Sequence, residues 1–191
     1  MRATGVKERV ERTALDLFAA RGIDGVSVAD IATAAGVSQG ALYRHYRSKD
    51  ELAERLFSAA YRQAGDDLTA IAAAERGFAA RIAAMVAHFC ALYDRDAPLF
   101  RFMLLAQHKL LPTVNFAAPG PGAAIEAAVA DAVRRGEIAA VDSATATAAI
   151  LGIVLQTALF HIYGHIGGPL APRAPALAHA AVAAVAALAR A

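Results

Sequence analysis

Gln39, Tyr43, Arg44, Arg47 and Lys49 crowd into one short stretch, and from Ile31 to Lys49 there is no Asp or Glu. These residue types do recognition chemistry rather than bond-making chemistry. A glutamine amide matches the paired donor and acceptor of adenine, and an arginine guanidinium matches guanine. Gln39 and Arg44 are therefore candidates for base edges. Arg44, Arg47 and Lys49 supply the positive charge that a phosphate-lined groove attracts. Gly40 has no side chain, so the start of its helix can approach a polynucleotide backbone closely. Tyr46 stands four places after Leu42 and is expected in the core. Tyr43 is expected to point outward, to nucleic acid rather than to the core.

Such side chains need a short helix held on a compact support. Ser27 sits where an N-cap belongs, and Asp30 three places on gives a weak capping box. Val28, Ile31, Ala32 and Ala35 recur at helical spacing and make one apolar face. Gly36 follows, where the chain must turn left-handed without the cost of a Cβ. Ser38 is the next N-cap and opens a helix expected over Gln39 to Tyr46. Ser48 is a third, with Glu51 completing a better box. Ala32 is small enough for a close helix crossing, and Val37 and Leu42 are placed to fill the angle between the two helices. Together these features describe a helix-turn-helix.

The run from Ala14 to Leu56 resembles the DNA-binding domain of the TetR family of transcriptional regulators. The matching residues are Phe18, Gly22, Val28, Ile31, Ala32, Ala35, Gly36, Val37, Leu42, Tyr43, His45, Tyr46, Lys49 and Leu52. The resemblance covers about the first third of the chain and is only architectural beyond it. It implies that Ser27, Ser38, Tyr43, His45 and Lys49 hold phosphates of double-stranded operator DNA. It also implies a second domain that binds a small molecule and moves the reading heads apart. The last two helices would form a homodimer seam, and the usual role in the family is repression.

Composition agrees. Residues 1–63 hold 10 Lys and Arg against 8 Asp and Glu, whereas residues 64–191 hold 9 of each. The slight basic excess therefore lies in the N-terminal part. Cys90 is the sole cysteine, which excludes an intrachain disulfide and a cysteine-based zinc cluster. A buried thiol is the expectation, and a redox role would need an exposed thiol of low pKa. The opening MRATGVKERVERT lacks an apolar signal core, so a cytoplasmic protein is expected. Abundant alanine and the lack of alternating strand patterns predict an all-α chain.

Three regions follow from this reading. Residues 1–48 form the helix-turn-helix domain, 49–65 a connecting helix, and 66–191 a ligand-binding and dimerisation domain. Val6, Val10, Ala14, Leu17 and Phe18 make the buried stripe of the first helix. Arg2, Lys7, Arg9 and Arg12 are read as its solvated face, with an N-terminal arm reaching DNA as the sharper alternative. Further helices are expected over Phe78 to Tyr93, from Pro98 through a buried PLFRFMLLAQHKLL segment, and over Gly122 to Arg135. The last two should run from a cap at Asp142 to about His165 and over Ala174 to Arg190. Residues 112–122 should be a loop.

From Ser143 to Pro172 there is no charged residue, long enough to span a membrane. Its hydroxyl, amide and histidine side chains, and the lack of aromatic belts, argue against that. An all-round apolar helix suits a subunit interface instead. Candidates to line an effector cavity are Met85, Phe89, Tyr93, Phe102, Met103, His108, Phe116, Gln156, Phe160 and His161. An apolar cavity with few polar groups suits a hydrophobic effector. His161 and His165 stand four apart without carboxylate partners, so no metal or cofactor is expected. No phosphate loop, nucleophile elbow or paired acidic motif is present, so no enzyme is expected.

Overall fold

The computed structural model describes residues 3–112 and 120–190, with side chains from residue 5. Among the described residues the chain is all-α. Its elements are α1 (Ala3–Arg21), α2 (Val28–Ala35), α3 (Gln39–Tyr43), α4 (Lys49–Ala74), α5 (Phe78–Arg95), α6 (Ala97–Leu110), α7 (Pro121–Arg134), α8 (Ser143–Ile162) and α9 (Ala174–Leu188), with a 3₁₀ turn at Ala171–Arg173.

The helices fall into two compact units. One holds the residues up to Tyr61 together with the segment that begins at Ala97; the other begins at Arg62, runs to Asp96, and resumes with α7, α8 and α9. This differs from the expected partition in two ways. α4 runs unbroken through Gly65, because Ala64 and Leu68 continue its buried stripe. That burial outweighs the roughly 1 kcal/mol a mid-helix glycine costs. The expected boundary there is not a break in the helix.

The second difference is α6. Phe102, Ala106 and Leu110 join the core built by Val10, Ala14, Phe18, Ile31, Leu42, Tyr46, Leu52 and Phe57. The Phe102 ring lies 5.9 Å from Phe18 and 6.3 Å from Phe57, stacked on one and edge-on to the other. α6 is thus part of the helix-turn-helix unit. It is not buried all round, since Leu105 and His108 are exposed.

The helix-turn-helix is held at its ends as the sequence reading requires. Ser27 Oγ accepts from the Asp30 amide at 3.1 Å, and the Ser27 amide donates to Asp30 Oδ2 at 2.8 Å, a full capping box. Gly36 is left-handed at φ 65, ψ 40. Its amide donates to Thr33 O at 3.1 Å and that of Val37 to Ala32 O at 3.0 Å, which is a Schellman closure. The Ala35 carbonyl is taken by Arg9 Nε at 2.8 Å. Arg9 is therefore not simply solvated, as the charge pattern suggested; it pins α1 to the end of α2.

α3 is shorter than expected and stops at Tyr43. Beyond it the amides of His45 and Tyr46 both bond to Leu42 O, so the chain turns before α4. Tyr46 is fully buried, as expected, and donates its hydroxyl to Glu11. α4 opens with Ser48 Oγ accepting from the Glu51 amide at 3.0 Å. Glu51 reaches back to the Arg47 amide at 2.6 Å, one residue earlier than a standard box.

The second unit is built around α5, which packs against α7, α8 and α9. Met85 and Val86 bury on one side of it. Arg81 is buried on the same helix, with its guanidinium on Asp131 Oδ2 at 3.2 Å and Glu137 Oε1 at 2.8 Å. Asp94 caps the chain before α9 by accepting from the amides of Leu170 and Ala171.

Candidate nucleic-acid interface

Seven of the eight residues assigned to DNA are exposed: Ser27, Ser38, Gln39, Gly40, Tyr43, Arg44 and His45; Lys49 is half-buried. Tyr43 is 53% exposed, which is unusual for a large aromatic side chain and rules out the core role. The separation of the two tyrosines follows from helix geometry. Leu42 buries between α2 and the rest of the core, so its neighbour Tyr43 must turn away.

A hollow of about 540 Å³ lies beside α3, lined by Asp24, Ser27, Val28, Asp30, Tyr43, Arg47, Ser48, Lys49 and Asp50 among others. The N-termini of α2 and α4 both open onto it, and each carries unpaired amides and a partial positive charge. Ser27, Tyr43 and Lys49 are thereby gathered at one place, with Arg47 and Ser48 beside them. Such a concavity suits a sugar-phosphate strand. Ser38, Gln39, Gly40, Arg44 and His45 stand outside its lining, exposed at the N-cap of α3, on it and just after it.

Two serines are constrained by their capping. Ser27 Oγ donates to Asp30 Oδ2 at 2.7 Å while accepting the Asp30 amide. Its proton is committed, so Ser27 offers a phosphate no hydroxyl donor unless that bond opens. The same hydrogen bond holds the Asp30 carboxyl below its ordinary pKa. Ser38 Oγ only accepts, from the Ala41 amide at 3.2 Å.

Acidic residues edge the hollow, yet two of them are offset locally. Asp30 is held by its capping serine. Asp24 is held by Lys109 of α6 at 2.5 Å, whose ammonium lowers the Asp24 pKa. The sequence reading missed Lys109, because nothing in the spacing of α6 places it beside the α1–α2 loop.

The described candidates for an effector cavity divide between the two units. Met85, Phe89 and Tyr93 are buried on α5 in the second unit, and His161 lies there on α8. Tyr93 and His161 are hydrogen-bonded at 2.8 Å between the phenol and Nδ1. His161 Nε2 is 2.8 Å from Gly168 O, which can only accept. Nε2 therefore donates to that carbonyl, and in the neutral ring the Tyr93 hydroxyl donates to Nδ1. This pair has its polar atoms satisfied and ties α5 to α8 and the turn after it. Phe102 belongs to the core of the first unit, with Met103 half-buried and His108 exposed on the same helix. Gln156 and Phe160 are exposed on α8 rather than sealed within the chain. Phe116 lies outside the described residues. No cluster of three or more metal-ligating side chains occurs among the described residues.

The first unit thus holds a helix-turn-helix whose short second helix, α3, is acid-free and carries an exposed Tyr43; the second unit is helical. The sequence model of the bacterial regulatory proteins of the tetR family matches residues 12–56. Over 46 residues the chain is 41% identical to an uncharacterised HTH-type transcriptional regulator, YerO of Bacillus subtilis; over 50 residues it is 36% identical to the HTH-type transcriptional repressor KstR2 of Mycolicibacterium smegmatis. These matches cover 24% and 26% of this chain, and only 16% and 24% of the respective relatives. The fold is similar over nearly the whole length to that of the transcriptional regulator FadR from Bacillus subtilis, solved in complex with stearoyl-CoA. The TM-score is 0.77 at 17% identity, covering 92% of this chain and 97% of that one. The family match is thus to the helix-turn-helix segment, residues 12–56, and the likeness over the rest of the chain is one of fold.

Proposed function

We propose that the protein is a homodimeric, sequence-specific regulator of transcription that binds palindromic double-stranded operator DNA. One observation carries the reading: a 53%-exposed Tyr43 on an acid-free helix, beside a hollow that two helix N-termini and Lys49 share. Phosphate contacts from Tyr43, Lys49, Arg47 and the helix ends fix the register. Gln39 and Arg44 read base edges. Ser38 and His45 add backbone contacts, and Gly40 lets the helix come close.

Two copies join through α8 and α9. α8 and the segment Ala171–Leu188 are long and apolar enough to cross a membrane, yet only 28% and 22% of their most apolar windows are buried within the chain. A second copy would cover the outward sides, Gly152, Gln156 and Phe160 among them, in a four-helix seam. That accounts for their apolar character in a cytoplasmic protein without a membrane.

The regulator acts as a repressor released by a small hydrophobic effector. Operator DNA and effector each favour a different conformer, and linkage makes them antagonistic. Acyl-coenzyme A thioesters are the first effectors to try, since the FadR of similar fold was solved with one. The test is selection of genomic fragments by the purified protein, repeated with stearoyl-CoA present. The reading predicts an enriched palindrome with or without effector identity being known. Failure to enrich any sequence over bulk DNA would contradict it, and loss of fragments with stearoyl-CoA would name the effector class.

A further inference from the structure

Lys109 carries a role that its position, outside the helix-turn-helix sequence, conceals. Its ammonium is 2.5 Å from Asp24 Oδ1, and the two side chains are 47% and 82% exposed. Asp24 lines the same hollow as Ser27, Tyr43, Arg47 and Lys49. It is thus an acidic group at the place where a phosphate strand would lie. Lys49 and Lys109 both stabilise its charge, and Lys109 also feels Asp50 at the start of α4.

We propose that Lys109 is a determinant of DNA affinity that acts through Asp24, masking a carboxylate that would otherwise repel the phosphate backbone and draw Lys49 away from it. Lys109 is a positioning and masking residue; it need not touch the nucleic acid. Exposed ion pairs contribute little to folding. The same pair has a larger effect on a polyanion partner, because an unmasked charge within one Debye length of a phosphate row opposes every nearby contact. Asp24 cannot be neutralised from within the segment Ser27–Lys49 without spending a cation intended for DNA. α6 supplies that cation from outside. A reader would then be tuned by a helix that makes no nucleic-acid contact of its own.

The inference rests on the DNA-binding reading above, and the experiment separates the two. A duplex enriched by the unaltered protein from a randomised pool is titrated against the full chain, Lys109→Gln, Asp24→Asn and the double variant, at several salt concentrations. Thermal melting of each confirms the fold. The expected result is a loss of about three- to tenfold for Lys109→Gln at low salt, shrinking as salt rises. Asp24→Asn should bind more tightly than the unaltered chain. In that background Lys109→Gln should have at most half its effect on log affinity. If Lys109→Gln changes nothing, or costs as much with Asp24 removed as with it present, masking is overturned; the second result would make Lys109 a direct phosphate contact. If the unaltered chain enriches no duplex, the DNA-binding reading itself has failed.

Discussion

The Tyr46 hydroxyl donates to Glu11 Oε1 at 2.5 Å, across a core that separates them by 35 residues of chain. Arg55 covers the other side of the ring, 5.6 Å from its centroid, and bonds Glu51, which in turn holds the Arg47 amide. A hydrogen bond thus joins α1 to the turn that follows the reading helix and sets where α3 ends. Tyr43 can project outward because Tyr46, three places on, is fixed inward.

Removing that hydroxyl should loosen the reading head. Tyr46→Phe leaves the Glu11 carboxylate without its buried donor and is expected to cost about 1–2 kcal/mol in urea unfolding. Unchanged stability would mean that Lys7, 3.7 Å from Glu11, suffices as its partner.

Alkaline pH provides a second readout of the same bond. Burial, and then the hydrogen bond and charge of Glu11, push the Tyr46 pKa above its usual range. In the unfolded chain the phenol ionises near its ordinary value of about 10. Above that pH the unfolded state binds fewer protons than the folded one, so stability falls as pH rises. Urea midpoints measured from pH 8 upward, to about 11, should decline above about 10 and decline less in Tyr46→Phe. Burial raises Tyr61 in the same direction, so part of the slope should remain.

On the acid side the signs reverse. Asp24, Asp30, Glu51 and Asp142 are all lowered, chiefly by hydrogen bonds from Lys109, Ser27, the Arg47 amide and Thr145 respectively. Their contribution is present above the ordinary carboxylate values and fades as pH drops below about 4. Thermal midpoints should hold from neutrality to about pH 5 and drop below about pH 4. Ser27→Ala should weaken the dependence by removing the main cause of the Asp30 shift.

The second unit has its own test. Arg81 is 3% exposed and neutralises Asp131 and Glu137 together. Arg81→Ala leaves two carboxylates facing each other without their shared cation. The expected cost is about 3–5 kcal/mol in chemical denaturation, far above a surface ion pair. A change below about 1 kcal/mol would mean that Arg134 and Arg135, both also on Asp131, take over.

Much of the head was legible because its signals are local. The caps at Ser27, Ser38 and Asp142 each place a side-chain oxygen on an amide three residues on, and Gly36 takes the left-handed turn for which glycine is chosen. What escaped depends on distance in sequence. α6 is apolar enough to enter either unit, and only the fit of Phe102 between Phe18 and Phe57 decides for the first. Periodicity cannot convey that fit. Arg81 did leave a trace: it sits with Phe78, Ile82 and Met85 on the buried stripe of α5, where an arginine must find carboxylates. Tyr93 and His161 were both read as candidates to line a cavity; the structure makes them each other's partners, which no spacing reveals across 68 residues. The apolar sides of α8 and α9 were legible as surplus.

The most direct check is on Tyr43. Fluorescence anisotropy of a labelled, selected duplex should show affinity for the full chain falling steeply and linearly with salt on logarithmic axes. Tyr43→Ala should bind about tenfold more weakly, or worse, with its melting temperature unchanged. A flat salt plot, or equal affinity for Tyr43→Ala at moderate salt, would contradict the assignment of this face to DNA.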